Sequence, residues 1–308
     1  MTWEQQYLDI LKELLEKGTI KANRTEISTR YLFGRSIRVE NVAENFPLLT
    51  TKKVFFRGVV EELLFFLRGE TDTKILEEKG INIWKGNTKR SFLDQHESSH
   101  VNHFPEGLMG PGYSWQFRNF GASYEYNDQK KCSNGYYNFD QKMYSEGFDQ
   151  VQYVIDCLKT DPNRRDMVIS LWNPPQHKDA VLPPCHVLYV FSYEPETNQL
   201  HLSMTQRSCD FFLGVPFNIA SCATFLTIMA QIGNMKVGDL LWHGTDIHLY
   251  ENQTEAAKEQ LKRKPRSVPQ MSIEQKIGST KDIEELQYED FVISGYDPQS
   301  TIKADMVP

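Results

Sequence analysis

Between Gly58 and Arg68 the chain reads Val59-Val60-Glu61-Glu62-Leu63-Leu64-Phe65-Phe66-Leu67. At helical spacing this run is apolar on nearly every side, broken only by Glu61 and Glu62. A helix without a polar face must be enclosed by other layers. The chain therefore needs a core thick enough to bury a whole helix. An unpaired carboxylate inside such a core costs several kcal/mol, so those on this helix need a partner or a function. The material for the core is present: 308 residues, 40% hydrophobic, with 18 Phe and 14 Tyr. Disorder and a fibrous chain are excluded by the same composition.

With 34 Lys+Arg against 41 Asp+Glu the net charge is -7. A protein that coats nucleic acid carries the opposite balance, so nucleic acid is not an expected partner. No apolar run approaches the roughly 20 residues that span a bilayer, which argues against a membrane protein. Met1-Thr2-Trp3-Glu4 has no basic-then-apolar leader, and a cytoplasmic location is expected. Cys132, Cys157, Cys185, Cys209 and Cys222 are odd in number and none is spaced CxxC. A disulfide framework or a zinc ribbon is not expected, and no other metal site is read.

No repeat or linker interrupts the chain, and one α/β domain over 1–308 is expected. Thr2 and Gln5 make a capping-box pattern before Trp3, Tyr7, Ile10, Leu11 and Leu14, with Gly18 as the stop. Arg30 to Glu40 reads as a strand pair bent at Gly34. Asn87 to Glu106 and Tyr124 to Gly147 are polar and read as surface loops. Asp149 to Leu158 is helical. Met167 to Trp172, His186 to Tyr193 and Leu200 to Gln206 read as strands. Ile219 to Ile232 is a long apolar helix, Asp246 to Tyr250 is extended, and Glu251 to Lys262 is an amphipathic helix.

Several residues offer chemistry, each with a plainer alternative. Cys185 follows Leu182-Pro183-Pro184 at the start of a strand, where a thiol is reachable, yet most free cysteines are core residues. His186 beside it faces the other side of the strand, so the two are no nucleophile–base pair. The cluster Gln206-Arg207-Ser208-Cys209-Asp210 suits a phosphate, or an ion pair closing a loop. Arg164-Arg165 sits at a turn that can simply be solvated. Asp246, His248 and Tyr250 share one face of an extended segment, able to bind a sugar hydroxyl or to be its wet side. Asn218 opens an apolar helix, where capping is the plain reading.

In combination these signals are specific. Leu182-Pro183-Pro184-Cys185-His186, Gln206-Arg207-Ser208-Cys209-Asp210, Leu213-Gly214-Val215-Pro216-Phe217-Asn218-Ile219-Ala220-Ser221 and Asp246-Ile247-His248-Leu249-Tyr250 occur in the order and spacing of thymidylate synthases. So do Phe46-Pro47-Leu48-Leu49-Thr50-Thr51-Lys52-Lys53, Glu62-Leu63-Leu64, Ile83-Trp84, Gly110-Pro111-Gly112-Tyr113 and Gly295-Tyr296-Asp297-Pro298. The chain resembles that family over essentially its whole length. The resemblance implies an α/β fold with a large mixed sheet and flanking helices, forming a homodimer packed through its sheets. It implies conversion of dUMP to dTMP with 5,10-methylenetetrahydrofolate as carbon and hydride donor, dihydrofolate leaving.

Carried over residue by residue, the resemblance makes Cys185 the nucleophile. Arg24, Arg164, Arg165, Arg207 and Ser208 become the phosphate clamp, with Arg164 and Arg165 donated across the dimer. Asn218 reads uracil, and His248 and Tyr250 bind the 3′-hydroxyl. Glu62 and Tyr113 serve the proton transfers. Lys52, Ile83, Trp84, Asp210, Leu213, Gly214 and Phe217 line the folate side, Asp210 supplying a carboxylate to the pterin. Two other readings account for fewer of these residues: a pyrimidine nucleotide hydroxymethylase sharing the Cys185 attack, and a homologue without catalysis that binds nucleotide or RNA.

Overall fold

The computed structural model describes residues 1–23, 27–124 and 147–307. Its first helix, Trp3–Lys17, starts where Thr2 Oγ1 accepts the Gln5 N–H at 3.2 Å. The Gln5 side chain reaches Asp9 instead of turning back, so the cap is half of the expected box. Tyr7, Leu11 and Leu14 face the core without exposure. Glu4 is buried too, and its carboxylate accepts four bonds of 2.6–2.9 Å from the N–H and hydroxyl groups of Thr50 and Thr51. That cage pins the segment leading to Lys52.

Six strands form one mixed sheet: β1 (Thr19–Lys21), β2 (Thr29–Val39), β3 (Val168–Ser170), β4 (His186–Glu194), β5 (Gln199–Asp210) and β6 (Lys236–Tyr250), in the order β1-β2-β6-β5-β4-β3. Only β5 and β6 are parallel. The expected strand pair at Arg30 to Glu40 is a single strand, β2. Gly34 (φ 60) does not turn the chain; it lies opposite Thr245 as a local irregularity between the Phe33–Asp246 and Arg35–Gly244 pairs. In β5 the cluster expected beyond the strand is part of it, because Ser208, Cys209 and Asp210 pair with Asp246, Ile247 and His248. Arg207 is thus level with Thr245 and Gly34. At this level the inside–outside alternation of β5 and β6 changes phase: Gln206 and Gly244 are buried, then Cys209 and Ile247. Such a change of phase re-aims side chains, and here it lies along the polar cluster.

The long apolar helix begins at Gly214 rather than Ile219 and runs to Ile232. Pro216 falls in its first turn, where no backbone donor is required. Asp210 Oδ1 accepts the N–H groups of Phe212 and Leu213 just ahead of it. Its length and composition would suit a membrane span, but most of it is buried inside the protein. It packs on β5, β6 and the helix Phe56–Leu67, which is the enclosed helix expected from sequence. Both carboxylates of that helix are buried and partnered: Glu61 takes Lys79 Nζ at 2.7 Å, and Glu62 takes Trp84 Nε1 at 2.8 Å.

The polar stretch from Asn87 is more ordered than a surface loop. Short helices Lys85–Thr88, Arg90–Leu93 and Ser99–Asn102 are anchored by buried Leu93, Val101 and Phe104. The expected loop from Tyr124 to Gly147 lies, apart from its ends, outside the described residues, as does Cys132. The expected helix from Glu251 opens as a 3₁₀ turn and becomes α-helical over Thr254–Leu261. A hairpin-like pair, β7 (Gln270–Ile273) and β8 (Phe291–Ser294), completes a contiguous core from Trp3 to Phe291.

Candidate active site

Cys185 sits where the Pro183-Pro184 segment enters β4. Among the described cysteines it alone is not buried; Cys157, Cys209 and Cys222 are. Burial raises the thiol pKa of each of those three, leaving them poor nucleophiles at neutral pH. The Cys185 N–H donates to the Tyr113 hydroxyl at 2.7 Å. Gly110 makes this approach possible. It has φ 73, and a Cβ there would strike the Asp179 carbonyl and the Phe104 ring. The Tyr113 segment can therefore lie against the Asp179–Ala180 backbone of the stretch that leads to Cys185.

Tyr113 stacks on Phe66 at 4.9 Å and meets Trp84 and His186 edge-on, each at 5.5 Å. Burial first, then the nearby Cys185 and Glu62, hold its phenol well above the ordinary pKa. Glu62 is pushed up to about 7 by burial, opposed by the Trp84 bond. A carboxyl poised there can give or accept a proton at neutral pH. His186 is driven down to about 4 by burial, and its Nδ1 meets the Tyr189 hydroxyl at 2.7 Å. It is neutral and turned away from the thiol, as the strand alternation predicts.

The Arg207 N–H donates to the Cys185 carbonyl at 2.9 Å, so β5 carries this arginine beside the thiol. Nε and Nη2 donate to the carbonyls of Pro184 and Pro183, at 2.9 and 2.7 Å, and the guanidinium lies over Trp172. Two of the fork's five donors fix its place, leaving the others for an anion. On β6, Asp246 binds His248 Nδ1 at 2.9 Å and Lys21 Nζ at 2.6 Å, while Tyr250 meets the His248 ring edge-on. Asn218 is inside the core helix, whose N-cap is Leu213, so it does not cap. Its Oδ1 accepts from Gln206 Nε2 at 3.0 Å.

A profile of the thymidylate synthase family matches residues 5–308. Thymidylate synthase from Candida albicans is 40% identical over 99% of this chain and 98% of its own length. That of Varicella-zoster virus (strain Dumas) is 42% identical over 99% and 95%. The bifunctional dihydrofolate reductase-thymidylate synthase of Paramecium tetraurelia is 42% identical over 98% of this chain, which spans 61% of that longer protein. The chain belongs to the thymidylate synthase family. It is therefore an enzyme, a methyltransferase.

Of the residues that the thymidylate synthase resemblance singles out, the structure gathers Glu62, Trp84, Tyr113, Cys185 and Arg207 into one chain of contacts. Ser208 and Asp210 follow on β5 beside Asp246 and His248. Ile83, Leu213, Gly214 and Phe217 are half-buried, the latter three around the start of the core helix. Arg24 lies outside the described residues. Lys52 is buried, donates to the Phe212 carbonyl and lies 3.6 Å above that ring, and burial lowers its pKa to about 7. It faces the core rather than a rim, because the Glu4 cage draws its loop inward.

The two arginines at the turn differ. Arg164 binds Asp166 through Nε at 2.8 Å and Nη2 at 2.5 Å, and its Nη2 also reaches Tyr153. These bonds hold the Asp166 carboxyl down to about 2. Arg165 is exposed and has no such partner among the described residues. Sequence reasoning offered Asp246 only as part of a sugar-binding face and Gln206 only within a phosphate-binding cluster; in the structure Asp246 orients His248 and Gln206 holds Asn218. Gln206 carries a legible signal: it follows Leu200, Leu202 and Met204 in the buried phase of β5, where an amide must be bonded.

The raised Glu62 carboxyl makes stability depend on pH. A folded pKa of about 7 against an ordinary 4.5 means its contribution is full below about pH 4.5 and is lost as pH rises through 7. Glu62→Gln removes that loss. Denaturant titrations at pH 5 and pH 8 are expected to show the variant gaining on the parent by on the order of 1–3 kcal/mol at the higher pH. Turnover should meanwhile drop by about 10²-fold or more. Parallel pH profiles would mean Glu62 does not titrate in this range.

Proposed function

We propose that this protein makes dTMP from dUMP, with 5,10-methylenetetrahydrofolate as co-substrate, through covalent attack by Cys185. The observation that carries this reading is the one unburied thiol among the described cysteines, set between Arg207 and the Tyr113–Glu62 pair. C5 of uracil is a poor nucleophile. A thiolate adding at C6 moves the ring electrons to C5 and O4, so that C5 can bond to carbon. Departure of the C5 proton and later elimination of Cys185 restore the ring. Tyr113 is suited to guiding water or a base to that proton, and Glu62 to exchanging a proton at O4. Arg207 and Ser208, with Arg24, take the phosphate, and His248 with Tyr250 the sugar hydroxyl.

The folate supplies the one-carbon unit and the hydride. The chain's residues suit such a ligand: Ile83, Leu213 and Phe217 offer half-buried apolar surface, and Trp84 a ring edge. Buried Asn87, on the turn after Trp84, has an amide nitrogen without a partner among the described residues, available to a polar heterocycle. Asp210 and Gly214 lie at the same end. A homodimer is part of the proposal. The helices pack on one face of the sheet. The other face presents half-buried Leu188, Val190, Ser203, Thr205, Leu241 and His243 in register across β4, β5 and β6. A second copy packed there would bury that face, with Arg165, and Arg164 beside it, reaching the neighbouring site. The four cysteines among the described residues are free thiols, which suits a reducing, cytoplasmic setting.

The attack itself is tested by tritium release from dUMP labelled at C5, in the presence of the folate. Release is expected from the parent protein and not from Cys185→Ser. Equal release from both would remove Cys185 from the chemistry.

A further inference from the structure

We propose that Trp242 is a positioning residue that sets base choice, by dictating at two removes which way round Asn218 presents its amide. The inference rests on the reading of Asn218 given above. Trp242 is wholly buried on β6, opposite Met204 of β5. Its Nε1 donates to Gln206 Oε1 at 2.9 Å. Gln206 Nε2 donates to the Ser208 carbonyl and to Asn218 Oδ1, each at 3.0 Å. Gln206 is only 2% exposed, and no solvent competes for these bonds.

A carboxamide can be held either way round unless its partners forbid it. Here they do. An indole nitrogen only donates and a carbonyl only accepts. Trp242 therefore requires the oxygen of Gln206, and Ser208 requires its nitrogen. The Gln206 nitrogen in turn requires the oxygen of Asn218, since reversing Asn218 would set donor against donor. The Asn218 NH₂ is thereby left to donate elsewhere, and its oxygen can accept from a second donor, the side chain also lying within hydrogen-bond reach of the His186 ring. That pair of groups matches uracil, which offers a donor at N3 and an acceptor at O4. Cytosine, with an acceptor at N3 and a donor at N4, matches the reversed amide. The orientation of one side chain thus decides between the bases, and the indole N–H is its fixed reference.

The test is the ratio of dissociation constants for dUMP and dCMP, measured by titration calorimetry on the whole protein. Two variants are compared with the parent: Trp242→Phe, and Trp242 replaced by benzothienylalanine, which keeps the shape and lacks the N–H. Without the indole donor the Gln206 amide is fixed by the Ser208 carbonyl but no longer by Trp242, so the reversed orientation costs less, and the preference for dUMP is expected to narrow about 10-fold in both. A role in packing alone would weaken both nucleotides alike in Trp242→Phe and spare the isosteric variant. An unchanged ratio in the isosteric variant overturns the inference, including where Trp242→Phe fails to fold. A parent protein without preference for dUMP would overturn the functional reading, and this inference with it.

Discussion

Cys185→Ala is expected to lower dUMP turnover by about 10⁴-fold or more while leaving dUMP affinity within a few-fold. The two effects separate because the thiol and the proposed binding groups sit on different elements. Cys185 immediately precedes β4, Arg207 and Ser208 belong to β5, His248 and Tyr250 to β6, and Asn218 to the core helix. Removing one sulfur leaves those donors in place. Cys209→Ala is the matched control. Its thiol is buried and bonded to the Gln206 carbonyl at 3.6 Å, and it should keep most of its turnover. Single-turnover kinetics with calorimetry on both variants check the pair. Loss of turnover in Cys209→Ala with activity retained in Cys185→Ala would reverse the assignment.

The second large effect is a recovery. If Arg165 serves the neighbouring subunit, each complete site takes Cys185 from one chain and Arg165 from the other. Cys185→Ala chains, nearly inactive, and Arg165→Ala chains, weakened, should then regain activity beyond either alone when dissociated and reassociated together. Random pairing puts one intact site in half of the dimers, about a quarter of the parent activity. Arg164→Ala should cost less than Arg165→Ala, whose loss removes a charge-assisted bond worth roughly 10–100-fold. The difference follows from geometry: Arg164 is already held by Asp166 and Tyr153. No recovery, with mixed dimers verified by mass spectrometry, would place Arg165 in its own subunit's site or outside any site.

The helices were legible in the sequence because their apolar periodicity matches what is buried. Trp3 to Leu14 and Gly58 to Arg68 are examples, each found within a few residues of the expected bounds. The bend at Gly34 was misread for a physical reason. A glycine at positive φ turns a hairpin or interrupts one long strand equally well, and only pairing with β6 decides. The start of the core helix was hidden by Gly214 and Pro216, which read as breakers unless the first turn is known to tolerate them. In the site, motifs pointed to residues that offer chemistry but not to those that aim them. The contacts Glu62–Trp84, Cys185–Tyr113 and Trp242–Gln206–Asn218 span 12 to 72 positions of sequence. Local pattern carries no information at that range. The two arginines of the turn looked equivalent in sequence and are separated by Asp166, whose effect depends on side-chain reach.

The central claim, that this active site transfers a methyl group to uracil by way of Cys185, meets its most direct test in a product analysis. The protein is incubated with dUMP and 5,10-methylenetetrahydrofolate, and nucleotide and folate products are both identified by chromatography and mass spectrometry. The account predicts dTMP and dihydrofolate in equal amounts, since the folate gives up both its carbon and a hydride. A hydroxymethyl nucleotide with tetrahydrofolate, or no new nucleotide at all, would contradict it.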